Sequence, residues 1–186
     1  MIAVTGITKA YGSRTLFENV QVQFTPGKRY GLTGPNGAGK STFMKILHGE
    51  EEANKGTISL PRKVGILRQD QFKYDEYRII DTVLMGNKPL WDALEERERL
   101  YAAPEITNEI GMRLGELEGT IAEENGYVAE QQAAEILQGI GIREDQHEMP
   151  MHTLPNDLKF RVLLAQALFG EPDAMLLDEP TNYLDL

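Results

Sequence analysis

The stretch GPNGAGKST, residues Gly34 to Thr42, decides how the rest of the chain is read, because it satisfies the pattern G-x-x-x-x-G-K-[S/T]. Its members are Gly34, Pro35, Asn36, Gly37, Ala38, Gly39, Lys40, Ser41 and Thr42. The glycines let the backbone wrap closely enough for its N–H groups to point at phosphate oxygens, and a helix N-terminus just behind them adds a potential that favours an anion. Lys40 supplies a point charge for the β and γ phosphates, and the Ser41 hydroxyl is a ligand for Mg²⁺. At average composition a chance match to four constrained positions is expected in well under ~1% of chains this long. The pattern also needs a strand before it and a helix after it. KRYGLT, residues 28–33, reads as that strand, and a helix from about Gly39 to Leu47 stops at His48 and Gly49 as a C-terminal glycine predicts.

Working outward, MLLDEP at residues 175–180 closes a run of four apolar residues, Ala174 to Leu177, with Asp-Glu, a pattern that occurs often at strand ends. Paired with the phosphate loop upstream it becomes a Walker B element. Asp178 would then hold Mg²⁺ through water, and Glu179 would be the base that polarises the attacking water.

Between these motifs the periodicity changes twice. Up to about residue 70 the chain is strand-like: MIAVTGITKAY, VQVQFTPGKRYGLTG, GTISL and KVGILRQ alternate or bunch β-formers between turn residues. Residues 90–138 read as helices. LWDALEERERLYAAP puts Trp91, Leu94 and Tyr101 on one stripe that Pro104 ends, and Ile110, Leu114, Leu117 and Ile121 then form a coiled-coil-like seam with charged flanks. An antiparallel hairpin with its tip near Ala102 to Thr107 follows, and YVAEQQAAEILQGIG returns as a third helix ending at Gly139 or Gly141. In LPNDLKFRV, residues 154–162, Asn156 and Asp157 are good helix N-caps, and Leu158, Val162 and Ala165 share one face. That helix runs to about Phe169, and DAMLLDE follows as a fully apolar strand of the kind buried in a parallel sheet.

Bulk properties narrow the class. A chain of 186 residues with 41% hydrophobic side chains has room for one domain with a sizeable core. MIAVTGITKAYG has neither the basic start nor the apolar run of an export signal, and no apolar run approaches the roughly 18 residues of a membrane span. A cytoplasmic protein is expected, and the absence of cysteine fits a reducing compartment. The net charge of −10 argues against DNA binding by the whole surface. Its distribution is uneven: residues 1–90 carry 13 basic and 8 acidic side chains, residues 91–135 carry 3 and 12, and residues 136–186 carry 3 and 9.

The order Tyr11, GPNGAGKS, LRQDQ, LLDEPTNYLDL resembles an ATP-binding cassette (ABC) nucleotide-binding domain across the whole chain, and EPTNYLD is similar to the EPTNHLD of the ABC-F family, soluble tandem-cassette ATPases that act on ribosomes. The fold class implied is α/β: a P-loop NTPase of the ABC type over residues 1–186, with an antiparallel β subdomain, a helical signature subdomain and an arm-like insertion at residues 90–138. The resemblance assigns Tyr11 to stacking on adenine, and Gln69 to the Mg²⁺ and γ-phosphate region. Leu184 and Asp185 fall in the D-loop along a partner cassette. It also implies ATP and Mg²⁺ as cofactors, a second cassette in the same full-length chain, and a ribosome as partner. The spacing of 85 positions from Gln69 to Leu154 leaves room for the arm and favours this family over a transporter ATPase subunit, the runner-up. The acidity of residues 91–135 is a poor match for RNA phosphates, so either a basic ribosomal protein or the tip alone is the expected contact.

Three features depart from the family pattern. The family's switch histidine has no counterpart within residues 1–186, since His48, His147 and His152 all precede Asp178 and read as structural or surface groups. The second cassette is also missing, so this stretch alone is expected to bind nucleotide weakly and turn it over negligibly. Finally, where the family signature is Leu-Ser-Gly-Gly-Gln, this chain has Leu154, Pro155, Asn156, Asp157 and Leu158. Pro155 has no hydroxyl or N–H to donate, and losing a charge-assisted hydrogen bond costs on the order of 1.5 to 3 kcal/mol. At roughly 6 Å and an effective dielectric of about 20, the Asp157 carboxylate repels each unit of phosphate charge by on the order of 3 kcal/mol before screening. The expectation is a sound phosphate loop and a signature that closes poorly on the partner's ATP.

Overall fold

A computed structural model describes residues 1–67 and 72–178. The chain divides into two compact units, one built from residues 1–66 and 172–178, the other from residues 67–171.

In the first unit, β1 (Ile2–Tyr11) pairs antiparallel with β2 (Arg14–Phe24) and with β3 (Lys55–Ser59), giving the order β2, β1, β3. Alternation along β1 sends Ile2, Val4 and Ile7 inward, and each such burial is worth about 1.5 to 3 kcal/mol. They meet Phe43 and Leu47 of helix α1 (Lys40–Leu47) and Leu176 of β5 (Ala174–Leu177). The register of β1 against β2 slips between Val4 and Ile7, where Gly6 and Asn19 both take positive φ. Strand β4 (Val64–Leu67) pairs with β5 in a separate two-stranded sheet.

Two expectations for this unit need correcting. Residues 28–33 form no strand: they have no ladder partner among the described residues, and Tyr30 and Leu32 are half exposed. A strand is defined by its ladder partners, and among the described residues Tyr30 contacts the end of β2 and the turn after it, through the Phe24 ring at 5.0 Å and Thr25. Strand β5 is present, but of its four residues only Leu176 is buried, and Leu177 is exposed. With Leu176 alone buried and one hydrogen-bonded neighbour among the described residues, β5 has neither the covered faces nor the two partners of a central parallel strand.

The second unit is helical: α2 (Ile79–Leu84), α3 (Lys88–Tyr101), α4 (Asn108–Glu123), α5 (Ala129–Gly139) and α6 (Asn156–Leu168), with short 3-10 turns between them. Helices α3 and α4 pack as an antiparallel pair joined by residues 102–107, and Thr107 caps α4 by accepting from the Ile110 N–H at 3.3 Å. Leu114, Leu117 and Ile121 line the inner face of α4 as expected, while Ile110 is partly exposed. On α3 the inward residues are Leu90 and Ala93, flanked by half-buried Trp91, Leu94 and Leu100; Tyr101 is exposed and does not belong to the stripe. Spacing alone put Trp91, Leu94 and Tyr101 on one side, but the stripe centres on Leu90 and Ala93, and Tyr101, in the last turn, falls off its edge. Helix α2 has no periodic signature in six residues, and every residue except Asp81 is buried. Gly86, just beyond it, lies so close to α6 that a Cβ would sit 1.9 Å from the Gln166 carbonyl oxygen, and the Gln166 side chain donates to the Thr82 carbonyl at 2.7 Å. No helix among the described residues is long and apolar enough to cross a membrane.

Candidate nucleotide site

The phosphate loop lies between β2 and α1, and residues 25–38 are exposed throughout. Gly39 is the N-cap of α1, at φ 93° and ψ 13°. An L side chain rarely adopts that conformation, and a Cβ here would lie 3.1 Å from the Phe17 ring, so both backbone and packing require glycine. Gly37 also has positive φ, at 80°. The Gly39 carbonyl accepts the Phe43 N–H at 2.8 Å, so the first turn of α1 follows directly from the loop. No acidic side chain occupies that turn, which keeps the positive end of the helix clear for an anion.

Lys40 folds back over the loop and donates to the Gly34 carbonyl at 2.8 Å and the Pro35 carbonyl at 3.0 Å. The ammonium is therefore held over the loop backbone by two neutral acceptors, which a phosphate oxygen would replace with a stronger charged one. Ala38 N–H donates to the Pro35 carbonyl at 3.2 Å and closes the loop on itself.

Tyr11 ends β1 and is half exposed. Its hydroxyl donates to Glu51 Oε1, and the Lys9 ammonium lies over its ring, 4.9 Å from the centroid. The Glu51 hydrogen bond, with burial second, pushes the Tyr11 phenol up, while Thr42, just inside α1, acts on the same oxygen in the opposite sense. Lys9 in turn, at 2.8 Å, with Tyr11 second, holds the Glu51 carboxyl below the ordinary carboxylate range. Tyr11 and the phosphate loop thus share one neighbourhood through Thr42. A further residue carried no sequence motif: Arg14, at the start of β2, brings Nη2 within 3.8 Å of where a Cβ on Gly37 would lie. Only the hairpin that pairs Tyr11 with Arg14 puts that guanidinium beside the loop.

At the other motif, Asp178 follows β5 and is partly buried. Glu179, Gln69, Leu184 and Asp185 lie outside the described residues. His48 caps the C-terminus of α1. His147 is buried with Nε2 3.3 Å from the Ile142 carbonyl, and His152 Nδ1 lies 3.1 Å from the Asp75 carbonyl. Among the described residues no three His, Cys, Asp or Glu side chains converge to hold a metal ion.

The signature stretch belongs to the helical unit. Leu154 is buried, Pro155, Asn156 and Asp157 are exposed, and Leu158 packs partly against the helical core. Contrary to the expected capping, Pro155 is the N-cap of α6, at φ −65° and ψ 158°, and no side chain makes a cap hydrogen bond. The proline ring fixes φ at a value the cap position accepts and ψ is extended, so Asn156 becomes the first helical residue and Asp157 falls in the first turn. Behind it Lys159 is buried and its ammonium contacts Asp75 Oδ1 at 2.5 Å.

An α/β unit with a glycine-dependent loop opening a helix, followed by a strand that ends in aspartate, defines a nucleotide-binding cassette of the phosphate-loop class. The sequence profile of the family described as ABC transporter matches residues 17–182, and the chain belongs to that family. It is 50% identical over its whole length to "Probable ATP-binding protein YbiT" of Escherichia coli O157:H7, covering 36% of that protein. It is 33% identical to "ABC transporter F family member 4" of Arabidopsis thaliana, covering 26% of it. With "Energy-dependent translational throttle protein EttA" of Mycobacterium tuberculosis it shares 30% identity over 96% of the chain and 32% of the relative. The chain thus spans about a third of the length of the curated relatives it matches. Among solved structures, "Structure of ATP binding subunit of ABC transporter" superposes with a TM-score of 0.70 at 20% identity, over 100% of this chain and 68% of that one, a likeness of fold. The chain is an ATP-binding cassette resembling the F branch of its family.

Proposed function

We propose that this cassette is one half of the nucleotide machinery of an ABC-F type ATPase, in which MgATP is bound here, sandwiched against a second cassette of the same full-length chain, and hydrolysed in a cycle coupled to translation on the ribosome. The observation that carries the reading is the phosphate loop itself: a backbone cradle that Gly39 cannot surrender, crossed by Lys40, beside half-exposed Tyr11. The coupling to translation rests on the F-branch relatives, EttA by its name, which match essentially the whole chain, including the α3 and α4 hairpin.

In this reading the Tyr11 ring faces adenine, the amides of Gly34 to Thr42 surround the phosphates, and Lys40 exchanges its two carbonyl acceptors for phosphate oxygens. Ser41 and Asp178 are hard oxygen donors, and Gln69 joins them. Such a sparse set suits Mg²⁺, which keeps waters and takes substrate phosphates rather than an all-protein cage. When bound, the ion would neutralise charge on the β and γ oxygens. Glu179 takes the proton of the attacking water, and Leu154 to Leu158 with Asp185 face the second cassette. Residues 90–138 serve as the arm.

Sedimentation of the full-length protein with purified ribosomes, with ATP and with the Glu179→Gln variant, tests the coupling. Retention on ribosomes, strengthened when hydrolysis is blocked, is the expected result. Absence from the ribosome fraction together with co-purification of a membrane permease would replace this reading with a transporter subunit.

A further inference from the structure

The residues around Tyr11 are more organised than an exposed strand end requires. The segment after α1 is tied to the end of β1 at four points: Lys9 donates to the Glu52 carbonyl at 2.7 Å, the Ala10 N–H to Asn54 Oδ1 at 2.6 Å, the Asn54 N–H to the Thr8 carbonyl at 2.9 Å, and the Tyr11 hydroxyl to Glu51. Glu51 is itself anchored on the helix that begins at the phosphate loop, since its N–H donates to the Lys45 carbonyl at 3.3 Å. Lys9 is buried along its stem, pairs with Glu51 and lies over one face of the Tyr11 ring.

From this arrangement we infer that Lys9 and Glu51 are positioning residues for the base: they fix the Tyr11 ring at both its hydroxyl and one face, so that a purine can stack only on the other. The inference rests on the reading that Tyr11 meets adenine, and extends it to two residues that touch neither base nor phosphate. A cation over one face of an aromatic ring is attracted by the ring quadrupole, and here it also closes that face to a base. The Glu51 hydrogen bond fixes the end of the ring and Lys9 over its face fixes the plane before ligand arrives, so the ordering cost is met in folding rather than in binding. Because Glu51 hangs from the C-terminal end of α1 and the phosphate loop from its N-terminal end, one helix sets both the base contact and the phosphate contact.

The test separates base from phosphate. Chemical-shift titration of the chain, which follows millimolar affinities, gives Kd for MgATP and for magnesium tripolyphosphate in wild type, Tyr11→Ala, Glu51→Ala, Glu51→Gln, Lys9→Met and Tyr11→Ala with Glu51→Ala. Tyr11→Ala should weaken ATP at least five-fold and leave tripolyphosphate unchanged, since base stacking on an aromatic contributes at least that much. Glu51→Ala and Lys9→Met should each weaken ATP about 3- to 10-fold, again with tripolyphosphate unchanged. The double variant should be no weaker than Tyr11→Ala alone, and Glu51→Gln, which still accepts from the tyrosine, should recover to within about two-fold of wild type. If Tyr11→Ala discriminates and Glu51→Ala and Lys9→Met do not, the positioning role is overturned while the adenine reading stands. If Tyr11→Ala weakens both ligands equally or neither, the adenine reading itself falls. Equal weakening of both ligands by Glu51→Ala would assign Glu51 to holding α1 in place and overturn the inference.

Discussion

In the proposed reading Lys40 serves binding and Glu179 serves turnover, and the surroundings of Lys40 make that division measurable. The ammonium is exposed and holds two loop carbonyls rather than any core group, so removing it should leave the fold intact. Lys40→Ala is therefore expected to weaken ATP binding by at least ten-fold in calorimetry while shifting Tm by no more than a few degrees, the range of an exposed substitution. Glu179→Gln should keep binding and abolish hydrolysis in the full-length protein. Equal losses of both steps in both variants would undo the two roles. The loop was legible in the sequence because its chemistry is local: the glycines, the lysine and the helix start all lie within nine consecutive residues. Arg14, Lys9 and Glu51 were not legible, because they reach the site only through the β1–β2 hairpin and the turn after α1, and no spacing rule links them.

Elements were legible where a repeat was long and illegible where a neighbour decided them. The seam through Leu114, Leu117 and Ile121 held because four turns of helix average over local noise, whereas KRYGLT has strand composition without strand partners. The hairpin also carries an ion pair that the sequence did not single out: Arg113 on α4 donates through Nε and Nη2 to the two carboxylate oxygens of Glu96 on α3, each at 2.8 Å. Arg113 holds Glu96 below the ordinary carboxylate value of 4.5, so the unfolded chain takes up that proton first as pH falls. The pair's contribution is then fully present above about pH 4.5 and is lost as pH drops through the lower folded value. Followed by the fluorescence of Trp91, the single tryptophan, which sits on α3, wild type should lose stability more steeply than Glu96→Gln as pH falls below about 4.5. Parallel pH profiles would show that the pair contributes nothing. The pairing also means that a test of the acidic face should reverse Glu95 and Glu98, which are exposed, and leave Glu96 alone, since reversing it breaks the Arg113 pair as well. Lysine at both positions should change ribosome affinity if a basic protein is the contact, and leave it unchanged if the tip alone engages RNA.

For the whole molecule the proposed function turns on closure of two cassettes, and the start of α6 would make an unusual demand on it. A signature helix has to present its N-terminal amides to a phosphate, and the family pattern uses a serine and two glycines where this chain has Pro155, Asn156 and Asp157. The position of Pro155 at the N-cap sharpens the prediction. Serine there would both supply the missing hydroxyl and cap the helix, a gain of about 1 kcal/mol in stability. Asp157→Gly acts the other way on stability: glycine in a helix costs about 1 kcal/mol, and the carboxylate's favourable interaction with the helix end, about 0.3 to 1 kcal/mol, is lost with it. Asn156→Gly, at the first helical position, adds a smaller loss, so Pro155→Ser with Asn156→Gly and Asp157→Gly should lower the melting temperature of the cassette by a few degrees while removing the charge and adding the donor that phosphate needs. Stability and closure separate, which they would not if the native residues were kept for folding alone. In a two-cassette protein carrying a donor and an acceptor dye, one on each cassette, the triple variant should close at lower ATP concentration than wild type and hydrolyse faster once closed, and Pro155→Ser alone should give part of the effect. If closure and turnover are unchanged by the triple substitution, the signature as it stands is competent, and phosphate is gripped there by groups other than the three replaced.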